Sequence, residues 1–182
     1  IVDERENPVK KNSFLYENGL KSFLDYLNQG KSVLHPVIFF KKEEGENVVE
    51  VALQYTDSYN ENIFSFVNNI NTIEGGTHLS GFKAALTKSI NTYLDKNKKV
   101  DLKLGSDDVR EGLCAIISIK IPNPQFEGQT KAKLGNSDIK GIVESVVFEK
   151  LSQFFEENPG VIGTIIDKAV TAARARDAAR KA

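Results

Sequence analysis

The chain has 182 residues, with 24 lysines and arginines against 25 aspartates and glutamates, for a formal net charge of -1. This length suits one domain that buries about two-thirds of its unfolded surface, and near-neutrality excludes a bulk field driving the whole chain onto nucleic acid or a membrane. The single cysteine excludes an internal disulfide framework, and no apolar run approaches the roughly 18 residues of a membrane span, so a reducing, soluble, cytoplasmic setting is expected.

The chain opens at Ile1 and contains no methionine, so it is expected to be an excised domain or a fragment lacking its start. Residues 1–15, opening on "IVDERENPVKKN", are charged and carry Pro8, which suits a residual strand or linker inherited from something upstream. Over 16–28, Leu20, Phe23, Leu24 and Leu27 recur at helical spacing, with Gly30 placed to end the helix. "PVIFF" and "VVEVALQY" flank the polar turn 44–47, and Val49, Val51, Leu53 and Tyr55 alternate. This predicts a β-hairpin, extended by a third strand at "IFSFVN".

The polar stretch "NNINTIEGGTH" leads into a helix over 79–97, where Phe82, Leu86, Ile90 and Leu94 repeat every fourth residue and Tyr93 widens the stripe. After "KLGSDD", the β-branched run 113–121 reads as a sheet strand that stops at Pro122. "NPQFEGQTKAKLGN" (123–136) follows, too long and too polar for a simple connection. Asn136 or Ser137 is expected to cap the next helix, whose buried side is Ile139, Ile142, Val143, Val146, Phe154 and Phe155 until Asn158-Pro159 interrupts. A last helix rich in alanine and arginine runs to the end. The order helix, three strands, helix, strand, helix, helix predicts an α/β (α+β) two-layer sandwich over 16–157, followed by a C-terminal helix over 158–182.

Self-contained catalytic equipment is missing: the sequence holds no G-x-x-x-x-G-K-[ST], no G-x-G-x-x-G and no H-E-x-x-H. His35 and His78 lie far apart and lack a nearby ligand set, so a metal site is not expected and both read as structural. Cys114 lies inside the apolar strand and reads as a small core residue. The loop 123–136 is different, because its lysines sit beyond a strand end on a tether bounded by Gly128 and Gly135. By spacing alone it reads first as a solvated surface loop. The alternative is that a lysine there offers a point charge to a phosphate while Gln129 supplies a neutral donor.

Three long blocks, "EGGTHLSGFKAALTKSINTY" (74–93), "DDVREGLCAIISIKIPNPQFEGQTKAKLGN" (107–136) and "AARARDAARKA" (172–182), closely resemble the second domain of the DNA gyrase B family. These are the ATPase subunits, of GHKL type, of type IIA topoisomerases. With "VEVALQYTDSYNENIFSFVNNINTIEGGTH" the similarity runs from about residue 16 onward, and the ATPase subunit of topoisomerase IV shares the pattern.

The resemblance implies a transducer domain with a ribosomal-protein-like fold that includes a left-handed βαβ crossover, and it makes the C-terminal helix over 158–182 a connecting helix. It also implies that ATP and Mg2+ are bound mainly by an upstream ATPase domain, with no cofactor in this fragment, which alone would be inactive. In the family the Gln-Thr-Lys segment reaches into the neighbouring ATP site; Gln129, Thr130 and Lys131 match it residue for residue. Lys131 would then contact the γ-phosphate as an electrostatic catalyst, and Gln129 would help position the phosphate or the attacking water. The implied partners are the upstream ATPase domain, the downstream cleavage and religation core, the gyrase A protein, a second copy of the gyrase B protein, and duplex DNA, without a membrane. Lys83, Lys88 and Arg110 become candidates for facing DNA, against the plainer reading of a solvated helix face. A stand-alone kinase of the same fold would need a better phosphate loop than "EGGTHLSG", and a plain nucleic-acid-binding module would be strongly basic.

Overall fold

The computed structural model describes residues 2–3, 10–11, 19–97 and 101–182. Most of the expected N-terminal linker, and the predicted helix start at 16–18, lie outside the described residues. Within that stretch β1 (Val2–Asp3) pairs antiparallel with β2 (Lys10–Lys11). The remaining elements are α1 (Leu20–Leu27), β3 (Ile38–Glu44), β4 (Asn47–Tyr55), β5 (Asn62–Val67), β6 (Ile70–Asn71), α2 (Thr77–Asn97), a 3-10 turn (Asp108–Arg110), β7 (Leu113–Lys120), α3 (Ser137–Glu157) and α4 (Pro159–Lys181).

The hairpin forms as the alternation predicts. Glu44 faces Asn47, so Gly45 and Glu46 make a two-residue turn, and Gly45 takes the left-handed conformation (φ 61°) such turns demand. The third strand does not extend it. The five-stranded sheet runs β3-β4-β7-β5-β6, with β7 antiparallel to β4 and parallel to β5. The cause is composition: "LCAIISIK" is buried at every position from Leu113 to Ile119, and a strand apolar on both faces belongs in the middle of a sheet. β5 therefore seats beside β7, through a crossover that carries β6 and α2. β6 is a short fifth strand that the sequence periodicity does not reveal.

One sheet face carries the main core. Val49, Val51, Leu53 and Tyr55 of β4 and Leu113, Ala115, Ile117 and Ile119 of β7 pack with Phe82, Leu86 and Ile90 of α2 and Val143, Val147 and Phe155 of α3. This is the expected α/β two-layer sandwich. On the opposite face Leu24 of α1 packs on Ala52, Cys114 and Ile116, and the Phe23 ring lies 6.2 Å from Phe64 and 6.4 Å from Phe66. α1 thus adds a partial third layer. α2 and α3 pack closely because Gly81 has no side chain: a Cβ there would sit 2.5 Å from the Lys140 carbonyl oxygen.

α4 joins the same core through Ile162, Ile165, Ile166, Ala169, Val170 and Ala173, so its first four turns belong to the globule. Beyond them, Arg176 reaches back to the buried carboxylate of Asp108, whose Oδ2 also accepts the Gly105 N–H at 2.8 Å. Removing that carboxylate leaves the half-buried Gly105 N–H without its acceptor and takes from Arg176 its nearer partner, with Asp177 remaining at 3.6 Å. Asp108→Ala is expected to cost about 2 kcal/mol of stability, read as a lower urea midpoint at unchanged slope.

Candidate functional site

The loop 123–136 is built as a stalk with a free tip. Phe126 bridges Leu134, the Glu127 N–H donates to Lys133 O at 2.8 Å, and the Gly135 N–H donates to Gln125 O at 2.7 Å. Lys133 and Glu127 form an ion pair across the stalk at 3.1 Å. Asn136 stands at the cap position of α3 but does not cap it with its side chain. Its Oδ1 accepts the Gln125 N–H at 2.6 Å and its Nδ2 donates to Asn123 O at 3.1 Å, so the amide closes the base of the stalk instead.

The stalk is clamped to the segment that precedes α2. The Leu134 N–H donates to Gly75 O at 3.1 Å, the Thr77 N–H to Leu134 O at 3.1 Å, and the Glu74 N–H to Ala132 O at 2.9 Å. Two glycines make this approach feasible. Gly75 has φ +75° and Gly76 φ +134°, and a Cβ on Gly76 would lie 2.5 Å from both the N and the O of Leu134. The "EGG" stretch is thus a backbone groove for the stalk, and the tether is far less free than its composition suggests.

Only the tip departs from this order. Gly128 turns at φ 83° and Lys131 sits at φ 54°, a left-handed conformation costing a non-glycine residue roughly 1–2 kcal/mol. Gln129, Thr130 and Lys131 are exposed, and none of them makes a side-chain hydrogen bond or ion pair with the described residues. The two loop lysines are therefore chemically distinct: Lys133 is spent on Glu127, whereas Lys131 and the neighbouring Gln129 amide have no side-chain partner among the described residues.

Beneath the clamp lies a buried polar network that sequence reasoning misses. Ser65 Oγ donates to Thr72 O at 3.0 Å, Thr72 Oγ1 donates to Ser65 O at 3.0 Å, and His78 Nε2 lies 3.1 Å from Thr72 Oγ1. Thr72 O in turn accepts the Gly75 N–H at 2.8 Å, which fixes the turn that carries the glycines. His78 is fully buried and its Nδ1 has no partner, and burial pulls its pKa down to about 4. It is a structural residue held neutral. His35 is structural too: its Nε2 accepts the Tyr55 N–H at 2.9 Å and its Nδ1 lies 2.6 Å from Pro36 O. Burial lowers its pKa as well.

These shifts predict acid sensitivity. A histidine in the unfolded chain takes up its proton near pH ~6.5, whereas folded His78 does so only near 4, so the unfolded state binds more protons between those values. Stability is complete above that window and falls as pH drops through it, by on the order of 3 kcal/mol for His78. Urea unfolding at about pH 7 and about pH 4.5 is expected to reveal this loss, and a shallower one in His78→Gln.

The three basic candidates do not form one surface. Arg110 Nε lies 2.8 Å from Glu61 Oε2 and its terminal nitrogen 2.6 Å from Asp107 Oδ1, while Lys83 Nζ lies 3.7 Å from Glu61 Oε1. Lys83 of α2 and Arg110 of the 3-10 turn are brought together across Glu61. Lys88 points elsewhere, its ammonium 4.7 Å from the centre of the Phe148 ring on α3. Arg110 also lines a cleft of about 210 Å3 with Tyr59, Glu61, Asp107 and Glu111. Nothing local in sequence joins Glu61 to Lys83 or Arg110, so its role emerges only from the fold. Cys114 is buried among apolar neighbours that raise its pKa, as a core residue rather than a nucleophile. Among the described residues no helix is long and apolar enough to cross a membrane, and no group of three or more His, Cys, Asp or Glu could hold a metal ion.

Comparison with known proteins places this architecture. The DNA gyrase B protein of Clostridium acetobutylicum is 53% identical over 187 residues, covering 100% of this chain and 29% of that protein. Among solved structures, the 43K ATPase domain of Thermus thermophilus gyrase B, in complex with an aminocoumarin, superposes with a TM-score of 0.86 at 39% identity over 94% of this chain and 47% of that one. The topoisomerase IV ATP-binding domain of Francisella tularensis, in complex with a small-molecule inhibitor, gives 0.78 at 29% identity over 93% of this chain and 46% of that one. The chain thus spans less than a third of the Clostridium protein and under half of either solved domain. The sequence profile of DNA gyrase B matches residues 19–182, and the chain belongs to the DNA gyrase B family.

Proposed function

We propose that this chain is the transducer domain of the ATPase subunit of an ATP-dependent type IIA DNA topoisomerase, and that its stalk delivers Lys131 and Gln129 to the ATP site of a neighbouring domain. One observation carries the reading. An ammonium and an amide without side-chain partners among the described residues are held at the tip of a stalk whose base is hydrogen-bonded into the fold, with Lys131 kept in a backbone conformation that costs energy. Such strain persists where the surroundings over-determine it, and it clusters at functional sites. The gyrase reading is favoured over topoisomerase IV by the 53% identity to the Clostridium gyrase B protein, beside 29% to the Francisella topoisomerase IV domain.

The chemistry of the tip fits one end of the nucleotide. Mg2+ demands hard oxygen ligands, whereas the tip offers a cation and an amide, which suit anionic phosphate oxygens. ATP supplies the γ-phosphoryl group, while adenine and Mg2+ are assigned to the upstream ATPase domain. Lys131 places a point charge where negative charge accumulates as the γ-phosphoryl group passes to water, and Gln129 donates to the phosphate or orients the attacking water. Because the stalk is bonded at Gly75 and Thr77, a pull on Lys131 is transmitted to the N-terminus of α2 and thence to the core. Release of the γ-phosphate removes the anchor and frees a rigid-body swing.

The partners follow from that assignment. α4 leads toward the cleavage and religation core, the gyrase A protein and a second copy of the gyrase B protein complete the enzyme, and duplex DNA meets the basic residues of the cavity wall in a cytoplasmic setting. The test is calorimetric titration with a non-hydrolysable ATP analogue and Mg2+. The 182-residue chain alone is expected to give no binding heat, and restoring the upstream ATPase domain to create a site at which Lys131→Ala impairs hydrolysis. Tight binding by the chain alone would refute the assignment.

A further inference from the structure

We propose that Glu61 is an internal stand-in for a nucleic-acid phosphate, holding Lys83 and Arg110 until a phosphodiester of duplex DNA displaces it. The inference rests on the reading above that this domain faces DNA. Its own basis is geometric. Two cations from separate elements, α2 and the 3-10 turn, converge on one carboxylate that precedes β5, each taking a different oxygen: Oε2 at 2.8 Å from Arg110 Nε and Oε1 at 3.7 Å from Lys83 Nζ. A phosphodiester also presents two anionic oxygens from one centre, so it can pair with the same two cations.

The energetics make the exchange feasible. The Glu61 side chain is 40% exposed and that of Lys83 30%, so both ends of that ion pair stay solvated and it holds Glu61 only weakly. Glu61 can therefore swing out without disturbing the fold. Arg110 is more anchored, at 12% side-chain exposure, and keeps a second link to Asp107, which is itself 89% exposed. With Glu61 in place, the carboxylates of Glu61, Asp107 and Glu111 around the cleft balance the cations Lys83, Arg110 and Lys168, and the local field does not draw a duplex in. Lys168 of α4 stands close by, 5.6 Å over the ring of the exposed Tyr59, so the balance turns positive once Glu61 leaves. Glu61 thus sets a weak, reversible grip, suited to a duplex that must pass through rather than stay.

The experiment uses the full-length protein and a labelled duplex, with affinity measured by fluorescence anisotropy between about 50 and about 200 mM salt. Glu61→Gln, checked for an unchanged melting curve, is expected to bind about threefold tighter or more at the low-salt end, with a salt slope steeper by about one unit. Adding Lys83→Gln to Glu61→Gln should remove that gain. If Lys83→Gln and Arg110→Gln weaken binding but Glu61→Gln changes neither affinity nor slope, Glu61 is a bystander and this inference fails alone. If Lys83→Gln and Arg110→Gln also leave binding unchanged, the DNA-facing reading fails and takes the inference with it.

Discussion

Lys131→Ala is expected to lower ATP hydrolysis by the full-length protein about 100-fold or more, with little change in thermal stability. The magnitude is that of removing one preorganised charge from a transition state in a water-poor site. Stability is spared because the Lys131 side chain is exposed and touches no carboxylate among the described residues. An interaction made mainly as charge develops lowers kcat far more than it raises KM, so steady-state kinetics separate this role from simple nucleotide binding. Lys133→Ala is the internal control. It stands two positions away but is committed to Glu127 at 3.1 Å, and it should cost under about 1 kcal/mol of stability and leave hydrolysis within about threefold.

Gly76→Ala should be a severely damaging methyl addition. Its Cβ would be driven to 2.5 Å from the backbone N and O of Leu134, at a φ of +134° that only glycine adopts comfortably. The backbone atoms cannot yield as a flexible side chain would, so the stalk must leave its groove. A loss of about 3 kcal/mol or more is expected in urea unfolding, together with a fall in hydrolysis despite an intact Lys131. Gly128→Ala, at φ +83° but with nothing within 4 Å of the new Cβ, should cost only about 1 kcal/mol. The contrast separates steric exclusion from backbone strain.

These residues also mark what the sequence can and cannot disclose. The alternation of Val49, Val51, Leu53 and Tyr55 and the fourth-residue repeat of Phe82, Leu86, Ile90 and Leu94 place β4 and α2, because periodicity reports which face of an element is buried. Periodicity does not name the partner. Hence β5 reads as an extension of the hairpin, when the fully buried β7 lies between them. The "EGG" glycines are visible, but their purpose depends on Leu134, which lies far along the chain. Asn136 looks like a helix cap, yet its amide is used by Asn123 and Gln125. Gln129 and Lys131 stand out by resemblance rather than by spacing. Glu61, charged and near a strand start, has no local signature at all, since its meaning comes from Lys83 and Arg110 converging on it in space.

Affinity labelling would show whether Lys131 approaches the terminal phosphate of ATP. An acyl-phosphate derivative of ATP transfers its acyl group to the lysine nearest the end of the phosphate chain, and digestion with mass spectrometry then locates the label. In the full-length protein acylation is expected at Lys131, suppressed by excess ATP, with Lys133 untouched. Equal labelling of Lys131 and Lys133, labelling that ATP does not suppress, or labelling confined to lysines outside 123–136 would contradict it.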